Sequence, residues 1–164
     1  ITVSVLDGQC LPPIEIIKIG AERLEGSAAP NLFLPMLSGE HFDLAQQKGK
    51  VVVLGFWATW SGPSIRNLPQ LLEATSEFNS SELKLVSVNQ DASREELLEF
   101  INQYDMHELS VLLDENSSAY DAFDVKGLPH TVVIDQVGVV HDVAVGFSPF
   151  QGSDLKRMLT KLIK

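Results

Sequence analysis

The chain has 164 residues, of which 45% are hydrophobic and 7% aromatic, enough to build the packed core of one domain. Acidic residues outnumber basic ones by 22 to 12, and the formal net charge of −10 opposes binding to nucleic acid or to an anionic membrane surface. No apolar run reaches the roughly 18 residues that a membrane-spanning helix needs, and residues 1–6 lack the basic flank and the length of a signal peptide.

The first part of the chain differs in pattern from the rest. Alternating apolar residues in "ITVSVLDG" and "IEIIKIG", separated by Leu11-Pro12-Pro13, predict two strands. We place a boundary near residues 26–30 and divide the chain into a short β-strand extension over 1–26 and one domain over 27–164. The segment "NLFLPMLSGEHFDLA", with Ser38-Gly39 at its turn, predicts a β-hairpin at the start of that domain.

From residue 51 onward, strand and helix patterns alternate, which favours a mixed α/β sheet flanked by helices. Ser93 followed by Glu96 predicts a capped helix start, with an apolar stripe behind it, and Ser148-Pro149 predicts another helix start. The predicted stripe is formed by Leu97, Leu98, Ile101 and Tyr104. The predicted strands are 51–57, 83–88, 110–114, 131–135 and 139–146, and the predicted helices are 62–78, 94–104, 117–123 and 149 onward.

The stretch "GFWATWSGPSIRNLP", residues 55–69, carries the pattern of a reactive site. An apolar strand ends at Trp57, Gly62-Pro63 opens a helix, and Ser61 and Ser64 lie in its first turn. Serine is a favoured residue at helix starts, so Ser61 is expected to accept a hydrogen bond from a backbone N–H there. We expect Trp57 to pack in the core and Trp60 to line a surface groove.

Three stretches together, "KGKVVVLGFWATWSGPSIRNLPQL", "VSVNQD" and "FDVKGLPHTVVIDQVGVV", resemble the thioredoxin superfamily. The resemblance covers residues 27–164 and is closest to the TlpA-like, redoxin-type thiol-disulfide oxidoreductases found outside the cytoplasm. It implies a thioredoxin fold, a cis peptide at Leu128-Pro129 facing the helix start at Ser61, and cysteines at positions 61 and 64 in active members. It also implies an extracytoplasmic location, with a possible membrane tether outside the given chain.

Both positions of the implied cysteine pair carry serine here. A helix start lowers the pKa of a thiol, but a serine hydroxyl stays protonated near neutral pH, and its oxygen does not form the reversible sulfur–sulfur bond on which exchange depends. The resemblance also implies an acid at position 67, as in some TlpA-like proteins, and a buried aspartate at position 55, as in thioredoxin itself, but Asn67 and Gly55 stand there. We therefore expect no dithiol activity from this chain, although the family that it resembles consists of thiol-disulfide oxidoreductases.

Several interpretations of the serines stay open at this stage. The pair is either natural, leaving a groove that binds a protein or peptide, or an engineered replacement in an active thiol-disulfide oxidoreductase. A nucleophilic Ser61 with His130 as its base is a third hypothesis, without an evident orienting acid. A redoxin-type peroxidase is disfavoured, because no cysteine stands at a reactive position. The expected binding residues of the groove are Trp60, Gly62, Pro63, Leu128, Pro129 and His130.

The side chains that bind metals are sparse and scattered along the chain. Cys10 is the only cysteine, so no intramolecular disulfide is possible, and we interpret it as a thiol without a role. His41, His107 and His141 have no spacing suited to a shared ion and are expected at the surface, as are Glu95, Glu96 and Glu99. We expect no metal site and no cofactor.

Overall fold

The computed structural model describes residues 24–91 and 93–163, together with the backbone of two short strands, Val5–Leu6 (β1) and Gln9–Cys10 (β2). These two strands pair antiparallel. The second strand predicted in the extension, "IEIIKIG", lies outside the described residues. Within the described part of the chain, no helix combines the length and the apolar character needed to cross a membrane.

The predicted hairpin is confirmed as Phe33–Pro35 (β3) paired antiparallel with His41–Asp43 (β4). Its turn contains Gly39 at φ +102°, a conformation that glycine adopts without steric cost, and the Gly39 N–H donates to the Met36 carbonyl at 2.9 Å. A 3-10 helix over Leu44–Gln47 follows, where the Asp43 carboxylate accepts from the Ala45 N–H.

A five-stranded mixed sheet forms the centre of the domain. Its strands are Val51–Trp57 (β5), Leu83–Asn89 (β6), Val111–Leu113 (β7), His130–Ile134 (β8) and Val140–Val145 (β9). Their order across the sheet is β7-β6-β5-β8-β9, with β5, β6 and β7 parallel and β8 antiparallel to both of its neighbours. Every residue of β5 is buried, as its unbroken apolar run predicts for a central strand covered on both faces.

Four α-helices flank the sheet: Gly62–Thr75 (α1), Arg94–Gln103 (α2), Ser118–Ala122 (α3) and Gln151–Leu162 (α4). The predicted cap of α2 is confirmed, since the Ser93 hydroxyl accepts from the Glu96 N–H at 3.2 Å. The apolar stripe was wrong in two positions: Leu98 and Tyr104 are 46% and 45% exposed, and Phe100 is buried in their place. Tyr104 lies beyond the last turn of α2 and packs its ring on Phe100, 4.5 Å between centroids.

Apolar side chains fill the space on both faces of the sheet. Because successive strand residues point to opposite faces, Val52, Leu54 and Phe56 pack with α3 and the hairpin, whereas Val51 and Val53 pack with α1 and α4. A third cluster joins Trp57 to α1 and α2. The expected fold class, a mixed sheet between helices, is confirmed, and it places the carboxyl end of β5 directly before the start of α1.

Candidate functional site

The serine pair lies at the start of α1, where the sequence places it. Ser61 is the N-cap residue, in extended backbone conformation, and its Oγ accepts from the Ser64 N–H at 3.3 Å. The sequence-based expectation for this cap is thus confirmed, and such a cap contributes about 1 kcal/mol to stability. Ser64 is fully buried, and its Oγ has no hydrogen-bond partner among the described residues. Gly62 and Pro63, between the two serines, are exposed.

The Leu128-Pro129 turn lies at the same edge of the sheet. Its peptide bond is cis, and the register of β5 with β8 places Phe56 opposite His130, so Pro129 comes beside the end of β5. Leu128 is half-buried and packs on the core, and Pro129 is buried. The Pro129 carbonyl accepts from the Gly146 N–H at 2.8 Å, which attaches the loop after β9 to this turn.

The loop between β5 and α1 is attached to the end of β6 by a set of hydrogen bonds. Asp91 accepts from the Thr59 hydroxyl at 2.7 Å and from the Thr59 N–H at 3.4 Å, while Asn89 accepts from the Asp91 N–H. The Tyr120 hydroxyl donates to the Trp57 carbonyl at 2.8 Å. Burial, reinforced by the Asp91 and Asp114 carboxylates, raises the pKa of Tyr120, so its hydroxyl stays a donor. No local pattern in "VSVNQD" predicts this role for its residues.

The two tryptophans beside the serines have opposite environments. Trp57 is 1% exposed and packs on Phe100 with 4.9 Å between ring centroids, which confirms its predicted place in the core. Trp60, one residue before Ser61, is 74% exposed. Its role in lining a groove stays a prediction.

His130 is placed differently from the expectation. Its side chain is 1% exposed and meets Phe56 edge-on at 5.6 Å, on the sheet face that packs with α3, so the ring does not line a surface groove. Neither ring nitrogen has a hydrogen-bond partner among the described residues, so no hydrogen bond joins His130 to Ser61. Burial lowers the pKa of His130 to about 4, against an opposing effect of Asp124, and the ring is neutral at physiological pH.

Positions 55 and 67, where the resemblance implies acids, are neutral and tightly packed. Asn67 is buried and donates through Nδ2 to the Thr131 hydroxyl at 3.4 Å, which also accepts from Gln151 at 3.3 Å. A Cβ at Gly55 would lie 2.7 Å from the Leu71 Cδ1, so the core leaves no room there for a larger side chain. The side chains that meet at position 67 are therefore two amides and a hydroxyl.

The other titratable residues do not converge on this site. His41, His107 and His141 are exposed, as expected, and so are Glu95, Glu96 and Glu99. His41 stacks on Phe33, and His107 lies 3.6 Å from Asp105. No group of three or more His, Cys, Asp or Glu side chains among the described residues is arranged to hold a metal ion.

Two residues that the sequence analysis did not single out lie at the edge of the site. Arg66 projects from α1 with its Cζ 5.2 Å from the ring centroid of Phe147. The guanidinium also lies close to Gly62, since a Cβ there would be 3.6 Å from the Arg66 Nη1. A helical offset of four residues between Gly62 and Arg66 is the one signal in the sequence that relates Arg66 to the serine pair.

The central sheet and the capped helix start at the carboxyl end of β5 define a protein of the thioredoxin fold. Residues 26–143 match the AhpC/TSA family, and the chain belongs to that family. The resemblance to thioredoxin-like, redoxin-type thiol-disulfide oxidoreductases is thereby confirmed.

Relatives and solved structures agree with this assignment. The chain is 35% identical over 122 residues to the thiol-disulfide oxidoreductase ResA of Bacillus subtilis (strain 168), covering 74% of this chain and 68% of that protein. It is 34% identical over 125 residues to the thioredoxin-like protein YneN of the same organism, covering 74% and 72%. A Chlorobium tepidum protein described as a thiol:disulfide interchange protein DsbE superposes with a TM-score of 0.78 at 29% identity, covering 85% of this chain and 98% of that one.

Proposed function

We propose that this chain is a thioredoxin-like domain that keeps the scaffold of thiol-disulfide exchange, does not carry out the exchange, and binds an extended segment of a partner protein. The observation that carries the proposal is the pair of hydroxyls at Ser61 and Ser64, at the start of a capped helix where the family's exchange chemistry requires thiols. Cys10, the only cysteine, lies on β2 and outside this helix start.

Oxygen does not replace sulfur in this reaction. Exchange begins when a thiolate attacks a disulfide sulfur to form a mixed disulfide, and it ends when a second thiolate displaces the first. The Ser61 hydroxyl is a poor nucleophile without a base, and its oxygen already accepts the hydrogen bond that caps α1. The base that the sequence analysis considered for Ser61, His130, has its ring in the core and makes no hydrogen bond to Ser61. The same lack of a reactive thiol argues against a peroxidase-like redoxin.

The surface around the serines supports a binding role. Trp60, Gly62 and Pro63 are exposed, and half-buried Leu128 belongs to the turn beside the end of β5, the strand that precedes them. A large exposed aromatic side chain on a rigid loop is typical of an interaction surface. An extended partner segment would place its apolar side chains here and hydrogen-bond to the backbone at Leu128-Pro129. His130 is not part of this surface, because its side chain is buried and its backbone lies in an inner strand between Phe56 and Val145.

An active oxidoreductase with cysteines at 61 and 64, of which this chain is an engineered form, is the second candidate. It is supported by the intact flanks of the serine pair and by relatives that carry the name thiol-disulfide oxidoreductase. The codons for residues 61 and 64 in the native gene distinguish the two candidates. Under either candidate we propose an extracytoplasmic location, on the strength of the resemblance to the TlpA-like branch.

Two measurements test the proposal. A Cys10→Ser variant of the chain is assayed for insulin reduction with dithiothreitol as electron donor, and we expect the rate of the uncatalysed control. A library of peptides displayed on phage is selected on the chain and counter-selected on Trp60→Ala, and we expect enriched sequences whose binding depends on Trp60. Catalysed insulin reduction would overturn the redox part of the proposal. Enrichment that is identical on Trp60→Ala would overturn the binding part.

A further inference from the structure

Arg66 and Phe147 connect two walls of the proposed groove. Arg66 lies on α1 beside Gly62, the residue that follows Ser61. The Cζ of its guanidinium lies 5.2 Å from the centroid of the Phe147 ring. Phe147 follows Gly146, whose N–H donates to the Pro129 carbonyl at 2.8 Å. The guanidinium is therefore held between the helix start and the loop that is attached to the Leu128-Pro129 turn.

No described residue forms a hydrogen bond or an ion pair with Arg66. The other described arginines are engaged: Arg94 donates to the carbonyls of Leu37 and Met36, and Arg157 donates to Asp154. In a chain with 22 acidic residues and a net charge of −10, a guanidinium fixed at a groove without a carboxylate has its five N–H donors available to a ligand.

The carboxylates near the groove have partners of their own. Asp91 accepts two hydrogen bonds from Thr59, and Asp124 lies 2.9 Å from the Lys126 ammonium. Within the described part of the chain, no ion pair neutralises the charge of Arg66 at this surface. A carboxylate brought by a partner would meet it without first displacing an internal acid.

We infer that Arg66, backed by Phe147, binds a single carboxylate side chain, Asp or Glu, in the extended partner segment; this inference rests on the proposed function. A guanidinium binds a carboxylate through two parallel hydrogen bonds, and an aromatic face beneath it fixes the plane of the fork and reduces the entropy lost on binding. The rest of the segment is apolar where it meets Trp60, Pro63 and Leu128. A strongly acidic segment is disfavoured, because the whole chain repels it.

The inference is tested with the sequences enriched by phage display. The best Trp60-dependent peptide is synthesised with an acetylated N-terminus and an amidated C-terminus, so that side chains supply its only carboxylates. We expect one position restricted to Asp or Glu among apolar neighbours. By fluorescence anisotropy, Arg66→Gln should weaken binding by about tenfold, and Arg66→Lys should weaken it less, because a point charge replaces the fork.

Arg157→Gln is the matched control, since it removes an equal charge from the surface of α4 and should leave the affinity unchanged. The acidic peptide residue is also replaced by its amide. When this peptide change is combined with Arg66→Gln, the loss of affinity should be no larger than the loss from either change alone. Such non-additivity shows that Arg66 and the peptide carboxylate interact directly. Fully additive effects, or equal affinities for Arg66→Gln and Arg157→Gln, would overturn the inference while leaving a Trp60-dependent groove in place. Selection that yields no Trp60-dependent peptide would overturn the proposed binding function and the inference with it.

Discussion

The neutral, buried ring of His130 makes the stability of the domain depend on pH in a predictable direction. Its pKa falls from 6.5 to about 4 because burial disfavours the charged imidazolium. Between pH 6.5 and pH 4 the unfolded chain therefore binds more protons at this residue than the folded chain does. The contribution of the neutral ring to the free energy of unfolding is fully present above pH 6.5 and is lost as the pH falls toward 4. The loss amounts to about 2 kcal/mol between pH 7 and pH 4.5.

Urea unfolding at several pH values, followed by circular dichroism, measures this contribution. Carboxylates also titrate in this range, so the informative quantity is the difference in the free energy of unfolding between the parent and His130→Leu. We expect the parent to lose about 2 kcal/mol more than His130→Leu on going from pH 7 to pH 4.5. His141→Gln removes an exposed histidine and should follow the parent. Parallel curves for the parent and His130→Leu would refute the reasoning, whatever the absolute stability of the variant.

Three further predictions concern stability at neutral pH, each measured by urea unfolding. Ser61→Ala removes the cap of α1 and should lower the free energy of unfolding by about 1 kcal/mol; an unchanged value would contradict the role of that cap. Gly55→Ala places a Cβ 2.7 Å from the buried Leu71 and should destabilise by about 1 to 3 kcal/mol, whereas Gly62→Ala, with 3.6 Å to its nearest neighbour, should change stability by less. Asp114→Ala removes the buried acceptor of three donors at the start of α3 and should cost about 2 kcal/mol or more; a loss below 0.5 kcal/mol would be inconsistent with those contacts.

The parts of the fold that depend on local pattern were predictable from the sequence. The run "VVVLGFW" matches β5 at both ends, and the Ser93 cap and the turn at Gly39 follow from the chemistry of single residues. The stripe on α2 failed at Leu98 and Tyr104, because α2 ends at Gln103 and Phe100 is the side chain that faces the core. With four apolar residues among the ten positions of α2, the sequence alone does not tell which of them are buried.

The candidate site was predictable in position but not in orientation. Ser61 and its cap followed from the sequence. The face of the sheet to which His130 points did not, because both faces of the central strands are covered by apolar side chains. The sequence of such a strand shows no alternation of polar and apolar residues that would tell one face from the other. The contact between Arg66 and Phe147 joins residues 81 positions apart by number, and the Asp91 contacts with Thr59 cross 32 positions. Such pairs arise from strand order and loop attachment, which no local pattern specifies.

The most direct test of the account is the rate of insulin reduction by Ser61→Cys/Ser64→Cys in a Cys10→Ser background. The fold that positions the pair is intact and the missing thiols are the decisive loss, so the restored pair should reduce insulin well above the uncatalysed rate even with Asn67 and Gly55 in place, while the Cys10→Ser parent should not. A folded double variant with two titratable thiols and no catalysed reduction would contradict the account, since it would show that changes beyond the thiol pair, such as those at Asn67 and Gly55, have abolished the exchange.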